Sequence, residues 1–284
     1  MLLAIDIGNS HTVAGLFHDD RLTGQWRFQS ERNRTDDELA IQCHGLLSLI
    51  GIDRREITGI ILVSVVPSLE KAWLSCCRKY LATHLPCPPQ VVTAGLIQEH
   101  LTIKTDHPEE VGADRLVNSI AAWRKYQCDL IVIDFGTAIT FDCVTATGEF
   151  TGGLILPGIN ISLAALSSRT AKLPRIDLST GPDKVIGANT IQAMKSGILH
   201  GYGAMVDGLT HRILTEMGCA PEATKVIATG GMAQLIAPYS QAIEEVDPAL
   251  TLDGLHFLAN SGRNAGQGHF SVVSARNDAG AANG

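Results

Sequence analysis

A ten-residue pattern occurs twice, as Leu3-Ala4-Ile5-Asp6-Ile7-Gly8-Asn9-Ser10-His11-Thr12 and as Ile131-Val132-Ile133-Asp134-Phe135-Gly136-Thr137-Ala138-Ile139-Thr140, with a constant offset of 134 − 6 = 128 residues. In each copy an apolar run ends at Asp. An apolar residue, a glycine, a polar residue and a second strand-like run containing Thr follow, which predicts a β-hairpin twice over. A turn comes next in both copies (His18-Asp19-Asp20-Arg21; Ala146-Thr147-Gly148), leading to a third strand-like segment over Leu22 to Phe28 and over Glu149 to Leu156. A repeat of this kind predicts two related halves, and 284 residues exceed what one core usually fills. Two lobes with a cleft between them are expected.

Helical signals follow each repeat. Thr35-Asp36-Asp37-Glu38 has capping-box spacing, and Leu39, Ile41, Leu46, Leu47 and Ile50 continue as the apolar residues of a helix before Gly51. Thr58 to Val66 is a β-branched apolar run suited to a strand buried on both faces, and Gln90 to Thr93 suggests another. In the second half, Asn189 to Met217 reads as a long helix, Thr224 to Thr229 as a strand, and Gly230-Gly231 as the entry to a short helix. The domains expected are 1–115 and 116–260, both mixed α/β, followed by a small, polar segment from 261 to 284 that reads as a disordered tail.

Composition narrows the function. A hydrophobic content of 45% with 18% charged residues is that of an ordinary globular enzyme. The formal charge of −7 argues against a broad nucleic-acid footprint, which needs many Lys and Arg on phosphates. The N-terminus meets Asp6 too early for a signal peptide, and no run of about 18 apolar residues exists for a membrane span. A cytoplasmic protein with reduced thiols is expected, since seven cysteines in a chain of this size make a poor disulfide framework. Cys76, Cys77, His84 and Cys87 fall close together but lack paired zinc spacing. The helical periodicity of Leu69, Trp73, Leu74, Cys77 and Leu81 makes these thiols core residues.

A carboxylate at the end of a buried strand, followed by a glycine turn, suits a metal-bound triphosphate. Turn N–H groups form an anion nest, and Asn9, Ser10 and Thr12 add neutral donors. One such loop is also an ordinary turn; two related by a repeat can clamp one nucleotide. Asp114 and Arg115 lie on a predicted helix marked by Val111, Leu116, Val117 and Ile120. As functional groups, Asp114 would orient and accept the proton of a substrate hydroxyl, and Arg115 would meet an anionic group of the substrate or of the transferring phosphate. Gly152-Gly153 and Pro157-Gly158 form either a turn beside the substrate or ordinary strand ends. Gly197, Gly201 and Gly203 permit close helix packing, within the chain or across a dimer seam.

Several ordered motifs carry a family likeness: Asp6-Ile7-Gly8-Asn9-Ser10, Ser64-Val65-Val66-Pro67, Glu110-Val111-Gly112-Ala113-Asp114-Arg115, Asp134-Phe135-Gly136-Thr137-Ala138, Gly152-Gly153-x-Ile155-x-Pro157-Gly158 and Gly187-x-Asn189-Thr190. From Met1 to about Asn260 the chain resembles the type III pantothenate kinases of the acetate and sugar kinase, Hsp70 and actin superfamily. The resemblance implies a duplicated ribonuclease H-like (actin-like ATPase) fold and phosphorylation of pantothenate by ATP to 4'-phosphopantothenate, the first step of coenzyme A synthesis. It implies Mg2+ and a monovalent cation, K+ or NH4+, and a homodimer with its substrate site near the subunit interface. It places ATP on Asp6, Ile7, Gly8, Asn9, Ser10, His11, Thr12, Val13 and Thr137. Pantothenate falls on Gly112, Ala113, Asp114, Arg115 and Thr190, the monovalent cation on Asp134, and the proton on Asp114. One departure concerns the pantothenate pocket, where many members carry an aromatic residue and this chain has Thr105 within Lys104-Thr105-Asp106-His107-Pro108. The competing readings are a non-catalytic binding or regulatory relative and another small-molecule kinase of the superfamily.

Overall fold

The computed structural model describes residues 1–182 and 184–265. Eleven strands are assigned among them: β1 (Leu2–Ile7), β2 (His11–His18), β3 (Arg21–Gln29), β4 (Gly59–Ser64), β5 (Gln90–Val91), β6 (Thr102–Ile103), β7 (Asp129–Phe135), β8 (Ala138–Val144), β9 (Glu149–Pro157), β10 (Thr224–Thr229) and β11 (Glu245–Val246). The α-helices are α1 (Asp36–Leu49), α2 (Pro67–Cys76), α3 (Ala94–Gln98), α4 (Ala113–Tyr126), α5 (Ile159–Arg169), α6 (Thr190–Met217), α7 (Ala233–Ile236) and α8 (Leu250–Ala265).

The first sheet runs β3-β2-β1-β4-β5 and the second β11-β10-β7-β8-β9-β6. Reversed, the second contains β9-β8-β7-β10-β11, the same order in the same place. The strand senses agree as well. β1 and β7 each pair antiparallel with the next strand and parallel with the strand that returns beside them. This is the duplicated ribonuclease H-like arrangement of actin-like ATPases, with β6 added at one edge.

Five layers result, because both faces of each central strand are buried. Leu3, Ile5 and Ile7 of β1 pack with Leu39, Leu47 and Trp73 of α1 and α2, while Leu2 and Ala4 face the opposite way, toward α4 and α8. In β7, Leu130 and Val132 join that same middle layer, and Ile131, Ile133 and Phe135 pack against Ile198, Leu199 and Val206 of α6. Double-sided burial explains why these strands read as continuous apolar runs rather than as alternating ones. Each fully buried Ile or Val contributes about 1.5–3 kcal/mol over an exposed one.

Local chemistry fixes the helix ends. Thr35 caps α1 through a reciprocal box with Glu38, Pro67 occupies the first turn of α2, and Asn189 accepts from Gln192 N to start α6. The buried face of α1 is Leu39, Ala40, Cys43 and Leu47, so Ile41 and Ile50, expected among its packing residues, instead stand 74% and 44% exposed. Ile41 lies two positions from Leu39, about half a turn round the helix. After Cys76 the helix widens into one π turn, Cys77–Leu81. Cys76 and Cys77 are fully buried, His84 Nε2 meets Ile57 O at 2.8 Å, and Cys87 is exposed, so the four do not converge.

The boundary expected at 115/116 falls inside α4, which lies with α8 between the two sheets. β6 precedes that boundary yet pairs with β9. Helix α8 continues to Ala265, past the start of the expected tail, and the remainder of that tail lies outside the described residues. Among the described residues no helix is long and apolar enough to cross a membrane.

Candidate active site

The two hairpin loops meet at the mouth between the sheets, where Ser10 Oγ and Thr137 Oγ1 lie 2.7 Å apart. Each loop closes on its glycine: Gly8 N donates to His11 O at 3.1 Å and Gly136 N to Ala138 O at 3.0 Å. The second turn is one residue shorter. Asp6 therefore faces Val13 across its hairpin, whereas Asp134 faces Thr140, the equivalent of Thr12 at the repeat offset. Asn9, Ser10 and His11 are exposed at the first tip. Thr12, expected as a phosphate donor, is 1% exposed and bonded through Oγ1 to Ser30 Oγ at 3.1 Å. Ser30 Oγ in turn donates to Gly8 O at 2.7 Å, so Thr12 braces the glycine turn from behind.

The third acidic residue arrives on α4. Asp114 lies in its first turn, where Oδ1 accepts the Arg115 N–H at 2.8 Å. Asn118, on the same side of α4, is 1% exposed and donates through Nδ2 to Asp134 Oδ2 at 3.3 Å. Thr251 of α8 donates to Asn118 Oδ1 at 2.6 Å, which fixes the amide so that its NH2 faces the carboxylate. Asp134 Oδ1 accepts no hydrogen bond among the described residues.

Asp6, Asp114, Asp134 and Asp142 act on one another. Burial pushes Asp6 up to about 8, with Asp114 and Asp134 adding repulsion. Asp134 rises to about 7, from burial first, then Asp114 and Asp142, against the Asn118 amide. Burial also raises Asp114, opposed by the Arg115 N–H and guanidinium. Asp142 rises to about 6, for the same reason and against the same guanidinium. Ionised together, these carboxylates would repel an anionic ligand, and a cation among them would relieve that repulsion. Among the described residues no three His, Cys, Asp or Glu side chains are grouped to hold a metal ion by themselves. An ion here would take one protein carboxylate and draw its other oxygens from the backbone or the ligand.

Gly158, the N-cap of α5, locks the second loop from below. A Cβ there would stand 2.1 Å from Thr137 O and 2.8 Å from Gly136 O, so Gly158 packs directly against the Gly136-Thr137 turn. Thr190 opens α6, exposed and without a side-chain hydrogen bond to the carboxylates among the described residues. Thr105 lies against Gly152, its methyl 3.8 Å from where a Cβ would be, and its hydroxyl is buried with no partner among the described residues. Of the three helix glycines, Gly203 packs inside the chain, against the Tyr239 backbone, while Gly197 and Gly201 face open space.

Sequence reasoning missed Asp142, Asn118 and Thr251. For Asp142 the signal was present: a carboxylate between Phe141 and Cys143 in a mostly apolar strand needs a partner.

A family model for type III pantothenate kinase matches residues 2–212. A type III pantothenate kinase of Desulfotalea psychrophila is 52% identical over 261 residues, 92% of this chain and 98% of the relative. One from Desulfosudis oleivorans is 48% identical over 92% of this chain and 99% of its own length. Among solved structures, the activator of the 2-hydroxyisocaproyl-CoA dehydratase from Clostridium difficile with bound ADPNP aligns with a TM-score of 0.53 at 10% identity, covering 96% of this chain and 99% of that one. That likeness is one of fold.

Proposed function

The chain belongs to the type III pantothenate kinase family, and from that premise we propose that Asp114 accepts the proton as a phosphoryl group passes from ATP to pantothenate between the Asp6 and Asp134 loops. The enzyme phosphorylates pantothenate in coenzyme A biosynthesis. The observation that carries the assignment is the convergence of Asp114 with the two loop carboxylates, each of which it pushes toward a higher proton affinity. Asp114 itself is lifted by burial, against the Arg115 N–H and guanidinium; a carboxylate raised in this direction is a better proton acceptor, and a substrate hydroxyl gives up its proton late in a loose transition state.

The nucleotide phosphates lie along the backbone of residues 6–13 and against Thr137, where Ser10 and Thr137 already present adjacent hydroxyls. Mg2+ accompanies the triphosphate. The monovalent cation, K+ or NH4+, would be held at Asp134, whose Oδ1 has no donor among the described residues and whose surroundings are acidic. When bound it supplies positive charge that relieves this repulsion. Pantothenate meets Gly112 to Arg115 and Thr190. A homodimer fits the open face at Gly197 and Gly201 and the exposed apolar residues Ile155, Ile161, Ile186 and Ile191 that precede it in the sequence.

Purified protein incubated with MgATP, K+ and pantothenate should release ADP, and glucose or glycerol in place of pantothenate should not support it. Asp114→Asn should lower kcat by about 100-fold or more while ATP still binds. Near-normal turnover in that variant would remove Asp114 from the role.

A further inference from the structure

Asp142 is the most deeply buried carboxylate near the site, 0% exposed in the middle of β8. Its Oδ1 takes two contacts from one guanidinium, Arg115 Nε at 2.8 Å and Nη2 at 2.6 Å, and its Oδ2 accepts from Thr140 Oγ1 at 3.1 Å. The guanidinium lies 5.8 Å from the centre of the Phe150 ring. On another side is Gly153, where a Cβ would stand 1.7 Å from Phe141 O and 3.2 Å from Nη2, so the socket tolerates no side chain there. The Arg115 side chain keeps 17% exposure, and among the described residues no acceptor meets Nη1. One end of the fork is thus locked inward and the other is left over.

A buried ion pair is a poor device for stability alone, because desolvation offsets its attraction and apolar residues of similar volume often serve better. A guanidinium that must reach a ligand in one orientation gains from such a pair, since its rotamers are fixed before binding. We infer that Asp142 is a positioning residue for substrate binding, holding Arg115 so that Nη1 is presented to an anionic oxygen of pantothenate. This rests on the reading of Arg115 as a substrate-binding residue.

The experiment is a double-mutant cycle on the full chain in the presence of K+, with the second substrate saturating in each titration. Asp142→Asn, Arg115→Met and the double variant are compared for pantothenate KM, ATP KM and melting temperature. Asp142→Asn and Arg115→Met should each raise pantothenate KM about tenfold, equivalent to about 1.4 kcal/mol. The double variant should be no worse than Arg115→Met alone, and ATP KM should stay within about twofold throughout. An effect of Asp142→Asn that persists undiminished in the Arg115→Met background overturns the inference, as does an equal rise in both KM values. If Arg115→Met leaves pantothenate KM unchanged, the underlying reading of Arg115 fails instead. If Arg115→Met raises it and Asp142→Asn does not, only the positioning role fails. Should Asp142→Asn not accumulate as folded protein, Thr140→Val, which removes the second contact to Asp142, should raise pantothenate KM about twofold through the same Arg115 dependence. Absence of that rise would count against the positioning role.

Discussion

Replacing Asp6 by Asn should make the nucleotide-free protein more stable at pH 8 while disabling it. In an unfolded chain an aspartate ionises near 3.8, whereas Asp6 in the fold is held at about 8 by burial and by Asp114 and Asp134. Between those pH values the folded protein keeps a proton that the unfolded chain releases, so stability falls as pH rises through the window and is restored only below it. At about 1.4 kcal/mol per pH unit the window spans at most about 6 kcal/mol. Asp6 is not sealed from water, and a realistic share is about 2 kcal/mol, or about 5 °C in melting temperature. Asn removes the charge at nearly constant shape, and among the described residues no hydrogen bond to the carboxylate opposes the rise. Thermal unfolding followed by circular dichroism without nucleotide should show the variant melting above wild type at pH 8, with the gap shrinking by more than half at pH 5. Steady-state turnover should collapse in parallel. A variant that melts below wild type at pH 8, or by the same offset at both pH values, would refute the reasoning.

Gly158→Ala should displace the Thr137 loop, because its Cβ would stand 2.1 Å from Thr137 O. We expect a loss of about 2 kcal/mol or more and a raised KM for ATP, measured by denaturant unfolding and initial rates; wild-type values for both would show that the loop yields at no cost. If the proposed dimer seam runs along the open side of α6, Gly201→Arg should give a monomer in light scattering where the wild type gives a dimer, without lowering the melting temperature of the subunit, since Arg is the better helix former by about 0.8 kcal/mol. An unchanged mass would place the seam elsewhere.

The hairpins were legible because period-two runs, glycine turns and a constant offset all point the same way, and the capping box at Thr35 because its chemistry is local. The pairing register was not. Asp6 faces Val13, whose counterpart at the repeat offset is Phe141, but a turn shorter by one residue gives Asp134 the partner Thr140 instead. Thr12 in turn loses its expected place at the phosphates to a buried bond with Ser30. Asp6, Asp114 and Asp134 could be named from motifs, but their mutual repulsion depends on strands and a helix brought together from distant parts of the chain. The partners of Asp142 and Thr251 were hidden for the same reason, since they lie 27 and 133 residues away, although the need of Asp142 for some partner was legible. Ile41 shows the opposite failure, an apolar residue that fits a helix yet faces outward.

The position of α8 has a consequence for synthesis. Leu252, Leu255 and Leu258 close the face of the first sheet presented by Leu2 and Ala4, about 250 positions earlier in the chain. On the ribosome the first sheet can be laid down against α1 and α2 and its other face partly covered by α4, but the part that α8 covers stays open until that helix has been translated. At about 5–20 residues per second that exposure lasts on the order of ten seconds or more. A message cut short before Leu250 would release a protein with every carboxylate of the site present and one wall of its first lobe uncovered, a substrate for chaperones and proteases rather than an enzyme.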